Sequence, residues 1–136
     1  MRRFNFILLF ILLQSGAGYC AAPPHELYLK GELLRAASAY FALAATTPQN
    51  PRPIMNAAIC LKQAGRYYEA ARAMTQAIER DPQNPDIYSE LGWLRFHQAD
   101  YNGARSAFET AIRIQVLHAR AELGLSDLQA WDMPFA

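Results

Sequence analysis

Four consecutive residues occur twice. Pro48-Gln49-Asn50-Pro51 returns as Pro82-Gln83-Asn84-Pro85. The same offset pairs Gly31 with Gly65, Tyr67 with Tyr101, Ala77 with Ala111 and Ile78 with Ile112. It also runs through three copies at Ala36, Ala70 and Ala104, and at Ala39, Ala73 and Ala107. A fixed period of this length constrains the fold more than any composition value. It describes a row of small units, each unable to bury its apolar face alone and each completed by its neighbour.

Within one period the apolar residues change register once. Ile54, Ala57, Ala58 and Leu61 fall at helical spacing on one face. The pattern breaks at Ala64-Gly65-Arg66. It resumes with Tyr67, Ala70, Ala71, Met74, Ala77 and Ile78. The next period repeats this as Tyr88, Leu91 and Gly92, a turn near Ala99-Asp100, then Tyr101, Ala104, Phe108, Ala111 and Ile112. Each unit is therefore predicted to be two antiparallel helices. Gly65 suits the turn that ends the first. Pro82 and Pro85 stop the second and start the following unit. Small residues such as Ala58 or Gly92 are expected opposite Ala70 or Ala104, so that the backbones approach closely while Tyr, Phe and Met fill the space towards the next hairpin.

These residues resemble the tetratricopeptide repeat. Residues 85–118 carry its pattern as Tyr88, Leu91, Gly92, Tyr101, Ala104, Phe108 and Ala111, and residues 51–84 as Ile54, Ala57, Ala58, Gly65, Tyr67, Ala70, Met74, Ala77 and Pro82. Leu61 and Arg95 stand where the family has Tyr, and Val116 stands where the unit should close with Pro. The resemblance implies an all-α fold, a short right-handed α-solenoid of helix hairpins. It spans residues 25–131: a partial unit at about 25–50, full units at 51–84 and 85–118, and a capping helix at 119–131 with Leu123, Leu125 and Leu128. A tail follows at 132–136. In the partial unit Pro23-Pro24 cut the leading helix to His25 through Lys30, and a full helix is predicted from about Glu32 to Ala45.

Residues 1–22 read differently. Arg2 and Arg3 precede a run from Phe4 to Leu13 interrupted only by Asn5, and small residues follow at Gly16, Ala17 and Gly18. That is the layout of a secretory signal peptide. The run falls short of the roughly 20 residues that span a bilayer. Cleavage between positions 20 and 23 is the expectation. The alternatives are an uncleaved anchor, or a lipoprotein acylated on Cys20, although Tyr19 occupies the place where such a signal has a small residue. Removing this segment takes two of the 13 basic residues and leaves 11 against 12 acidic, a net charge of −1. No broad basic field for nucleic acid is expected. Cys60 would remain as the one thiol, in an apolar helix where a buried hydrophobe is expected.

Nothing in the chain reads as a catalytic site. His25, His97 and His118 are far apart and lack partners at metal-ligand spacing. Gly124-Leu125-Ser126-Asp127-Leu128 begins like a nucleophile elbow but lacks the second glycine. No phosphate-binding loop, cofactor or metal is expected. Repeat arrays of this kind offer a concave face lined by the leading helices. The positions expected on that groove are Arg52, Met55, Asn56, Ile59 and Gln63 in one unit and Asp86, Ser89, Glu90, Trp93, Phe96 and His97 in the next. The capping helix adds Arg120, Leu123 and Asp127. Trp93 lies off the stripe of Tyr88, Leu91 and Arg95; it is expected either to anchor a partner side chain or, like Phe96, to be covered by the capping helix or the tail. Some family members grip a terminal carboxylate with Lys, Arg and Asn. Here Met55, Ile59 and Glu90 stand at the matching positions, with Asn56 and Arg52 in favour, so a mixed apolar groove for a peptide is expected instead.

The resemblance implies a protein-binding module with another protein or peptide as partner, and export implies a periplasmic or envelope adaptor. Self-association through the ends of so short an array, giving a homodimer, is the competing expectation. Membrane attachment would follow only from an uncleaved anchor or lipidated Cys20.

Overall fold

The computed structural model describes residues 22–132. Of the export segment expected at 1–22 and the tail at 132–136, all but Ala22 and Asp132 lie outside the described residues. Within them the chain forms seven helices: α1 Pro24–Leu29, α2 Leu33–Thr46, α3 Arg52–Gln63, α4 Tyr67–Arg80, α5 Pro85–His97, α6 Tyr101–Ile114 and α7 Ala119–Asp132. There is no strand among the described residues. Each helix packs against the next, so α1, α3, α5 and α7 form one layer and α2, α4 and α6 the other. This is the predicted solenoid of helix pairs.

One hydrogen-bonding device closes all three hairpin turns. The amide of Glu32 donates to Leu27, that of Arg66 to Leu61 and that of Asp100 to Arg95, each at 2.8–2.9 Å. This closure needs one residue in the left-handed region. Gly31 and Gly65 supply it at φ +77° and +75°, and Ala99 stands in the same place at φ +60°.

The helix starts are equally periodic. The Asn50 side chain accepts from the Arg52 amide at 3.0 Å, and Asn84 accepts from Asp86 at 3.1 Å. At the third start His118 replaces the asparagine. Its Nδ1 accepts from the Ala121 amide at 3.3 Å and its Nε2 bonds Asp86 Oδ1 at 2.9 Å. The buried His118 thus caps α7 and ties it to α5. Arg80, at the end of α4, reaches across the unit boundary. Its Nη1 donates to the carbonyls of Ala44, Thr47 and Asn50 at 3.0–3.1 Å. Those oxygens lie at and beyond the C-terminus of α2, where the regular helix bonds end and the Ala44 and Thr47 carbonyls accept only the turn amides of Thr47 and Asn50.

Two apolar clusters hold the layers together. The larger runs through α1 to α6 and includes Ile54, Leu61, Met74, Ile87 and Leu94. The smaller centres on Phe108 with Ala104, Ala111, Ala121 and Leu128. Arg95, at the position where the family has tyrosine, donates to the Gly103 carbonyl at 3.2 Å and so joins α5 to α6.

The first unit is incomplete in a specific way. Helix α1 has 6 residues against 12 in α3. Ala77 and Ala111, deep in the trailing helices, are wholly buried, whereas Leu43 at the equivalent position is 43% exposed. Half a leading helix leaves that flank of α2 uncovered.

Candidate partner-binding face

The leading helices present three different surroundings along the inner layer. They are ordered by one recurring position of the repeat: Asn56 on α3, Glu90 on α5 and Gly124 on α7. At Asn56 the layer opens into a cavity of about 270 Å³, lined by His25, Tyr28, Tyr40, Asn56, Ile59 and Cys60. Burial raises the Tyr40 phenol above its usual range, helped by neighbouring Cys60 and Tyr28, and burial likewise raises the Cys60 thiol. The Gln63 amide donates to Tyr28 Oη at 2.8 Å and fixes one wall.

At Glu90 the face is charged. Lys62 Nζ lies 2.8 Å from Glu90 Oε2, and Arg120 Nη1 lies 2.6 Å from Oε1. One carboxylate therefore joins α3, α5 and α7. At Gly124 the face is aromatic beneath the backbone. Phe108 fills the space between α5 and α7, with Trp93 edge-on to it at 5.5 Å and Phe96 edge-on to Trp93 at 5.8 Å.

Of the expected groove positions, Arg52, Asn56, Gln63, Asp86 and His97 are exposed, and Met55, Ile59 and Phe96 are half-buried. His97 stacks on Tyr67 at 4.9 Å. On the capping helix Leu123 is exposed, Asp127 is half-buried and Arg120 reaches down to Glu90. Two positions are corrected. Ser89 and Glu90, expected to be free on the surface, are buried at 1% and 7% exposure. The Ser89 hydroxyl donates to the Asp86 carbonyl, and Glu90 is enclosed by its two cations as α7 folds over α5. Of the two places expected for Trp93, the structure shows the covered one. It lies against the Phe108 cluster, half-buried, with Nε1 enclosed and unpaired, so it serves packing before it could serve a ligand.

His118, Lys62 and Gly124 were not among the expected positions. The repeat period points from Asn50 and Asn84 to His118, and a glycine inside the apolar pattern of α7 marks a close approach. No local pattern marks Lys62 as the partner of a residue on the next leading helix.

The sequence pattern of the tetratricopeptide repeat family matches residues 61–128. The chain belongs to the tetratricopeptide repeat family. A heat-shock protein cognate co-chaperone, sgt12 of Aspergillus fumigatus, is 32% identical over 84 residues, 62% of this chain. The chain spans only 25% of that relative's length. Among solved structures, the second tetratricopeptide domain of human RPAP3, in complex with the HSP70 peptide SGPTIEEVD, superposes with a TM-score of 0.73. It is 24% identical and covers 78% of this chain and 88% of its own. The Yersinia enterocolitica type III secretion chaperone SycD, in complex with a peptide of the translocator YopD, gives 0.74 at 14% identity, covering 83% and 92%. These likenesses show the tetratricopeptide fold, a scaffold for protein interaction.

Proposed function

We propose that this tetratricopeptide protein is an exported adaptor of a bacterial envelope, holding a peptide segment of a secretion or assembly partner along its inner face. The observation that carries the reading is the sequence of seats on that face: an open, partly apolar cavity beside Asn56, a charged centre at Glu90 and an apolar rim at Leu123. A peptide laid across them finds a pocket for a side chain and polar groups that fix its direction. RPAP3 and SycD, each in complex with a peptide, support the mode of binding. The Arg2-Arg3 start and the run to Leu13 support export.

A photo-crosslinking side chain placed at Asn56 tests the face, with one at Thr75 on α4 as the outer-face control. Adducts from position 56 and none from 75 are expected in envelope extracts; equal labelling removes the groove from the function. Fusing residues 1–22 to a reporter active only outside the cytoplasm tests export separately.

A second reading has its own observation. Leu34, Phe41 and Leu43 on α2, and Leu117, Leu123 and Trp131 at the other end, are large apolar side chains left exposed. Such surfaces favour self-association. Light scattering across a concentration series decides it, since a dimer that forms with concentration favours assembly and a persistent monomer favours the adaptor.

A further inference from the structure

The charged centre of the inner face is balanced from within the chain. Lys62 and Arg120 come from helices on either side of α5, and both point at the same place. Two cations converging from separate elements make a seat for an anion. That seat is taken: each oxygen of the Glu90 carboxylate holds one of them, and the carboxylate is itself buried while Arg120 stays half-exposed. The equivalent positions on the flanking leading helices are the uncharged Asn56 and Gly124.

We propose that Glu90 is the specificity residue of the groove. Its carboxylate occupies the Lys62–Arg120 seat in place of a ligand's, so the face admits neutral or basic segments and turns away acidic ones. This rests on the reading of the inner layer as the binding face. A carboxylate approaching from outside meets cations whose best geometry is already used, and it meets the negative charge of Glu90 in a site that water screens poorly. Discrimination by a like charge is as effective as an attractive contact, and it needs no change in the shape of the groove.

Removing one charge tests this. The acidic peptide SGPTIEEVD and its neutral counterpart SGPTIQQVN serve as labelled probes for anisotropy on the folded chain. Glu90→Gln keeps the side-chain size and frees both cations. It is expected to bind the acidic peptide about tenfold or more tightly than the wild type does, with the gain weakening as salt is added. The neutral peptide should show no such gain. Equal affinity of wild type and variant for the acidic peptide, or an equal gain for the neutral one, overturns the proposal. If Glu90→Gln does not fold by circular dichroism, Glu90→Asn is read the same way, since position 56 already carries that residue in the equivalent place. Ile59→Trp, which obstructs the groove without adding a charge, separates the role of Glu90 from that of the groove. A gain that survives it puts the peptide elsewhere and ends the groove reading too. An absent gain, with inner-face crosslinking to the partner intact, ends only the role of Glu90.

Discussion

A methyl group on Gly92 would stand 2.5 Å from Phe108 Cε1, closer than carbon atoms approach. The same ring crowds Gly124 from its other side. Phe108 is thus clamped between two helices that lack side chains at the point of contact, one in the second full unit and one in the cap. A glycine inside a helix ordinarily costs about 1 kcal/mol relative to alanine. Here the sign should reverse. Gly92→Ala and Gly124→Ala are each expected to destabilise by about 1–3 kcal/mol through overpacking. Phe108→Leu, itself destabilising, should cost less in the Gly124→Ala background than alone. Urea unfolding of the four proteins in that cycle measures the coupling.

Ala99 is an alanine in a glycine's place. The other two hairpin turns have Gly31 and Gly65 at the same step of the period and at similar positive φ. An L-residue in the left-handed region costs on the order of 1–2 kcal/mol. Ala99→Gly relieves that strain but loosens the unfolded chain, so a net gain of about 0.5–1 kcal/mol is expected. Gly65→Ala should lose a similar amount. Paired thermal melts, with a rise of a few degrees for the first and a fall for the second, check both.

Arg80 satisfies three carbonyls with one nitrogen. Truncation to Arg80→Ala removes the charged donor that all three share: the Ala44 and Thr47 carbonyls keep the amides of Thr47 and Asn50, and the Asn50 carbonyl loses its side-chain donor, at a cost of about 1–2 kcal/mol. Amide hydrogen exchange should show the loss first in residues 43–50, ahead of α5 and α6. Uniform loss of protection along the chain would contradict a local role.

The buried Cys60 and the half-buried Tyr40 give the fold a pH dependence on the alkaline side. Both titrate above their usual ranges in the folded chain. A raised value means the folded state favours the neutral form. Stability is therefore complete below the unfolded thiol's range of about 8.5 and falls as pH rises through the folded values. Melting temperature should be flat near neutrality and decline above about pH 8.5. Cys60→Ala should flatten the early part of that decline. A thiol reagent should leave native Cys60 largely unreacted and label it readily in denaturant.

Most of this architecture could be read from residue spacing. The doubled Pro-Gln-Asn-Pro, the turn glycines and the alanines at 36, 70 and 104 define helix pairs and their order because they are local or strictly periodic. The groove was less legible. Helical phase says which side of α5 points away from α6, but not that α7 lies across it, and that crossing buries Ser89, Glu90 and part of Trp93. The partners of Glu90 come from the leading helix before it and the capping helix after it. Such a triad exists only after the units have stacked.

The identical residues at 48–51 and 82–85 mark two joints that share their sequence and their asparagine caps. Arg80 fastens the first joint from across the boundary, and Asn50 and Asn84 begin the helix after each. A duplicate of residues 51–84, spliced in at the second joint, would meet neighbours shaped like its own. Neither end offers such a joint: one has half a helix, and at the other His118 stands where the asparagine belongs. The array can be lengthened from its middle, one module at a time, between α1 and α7 as fixed bookends.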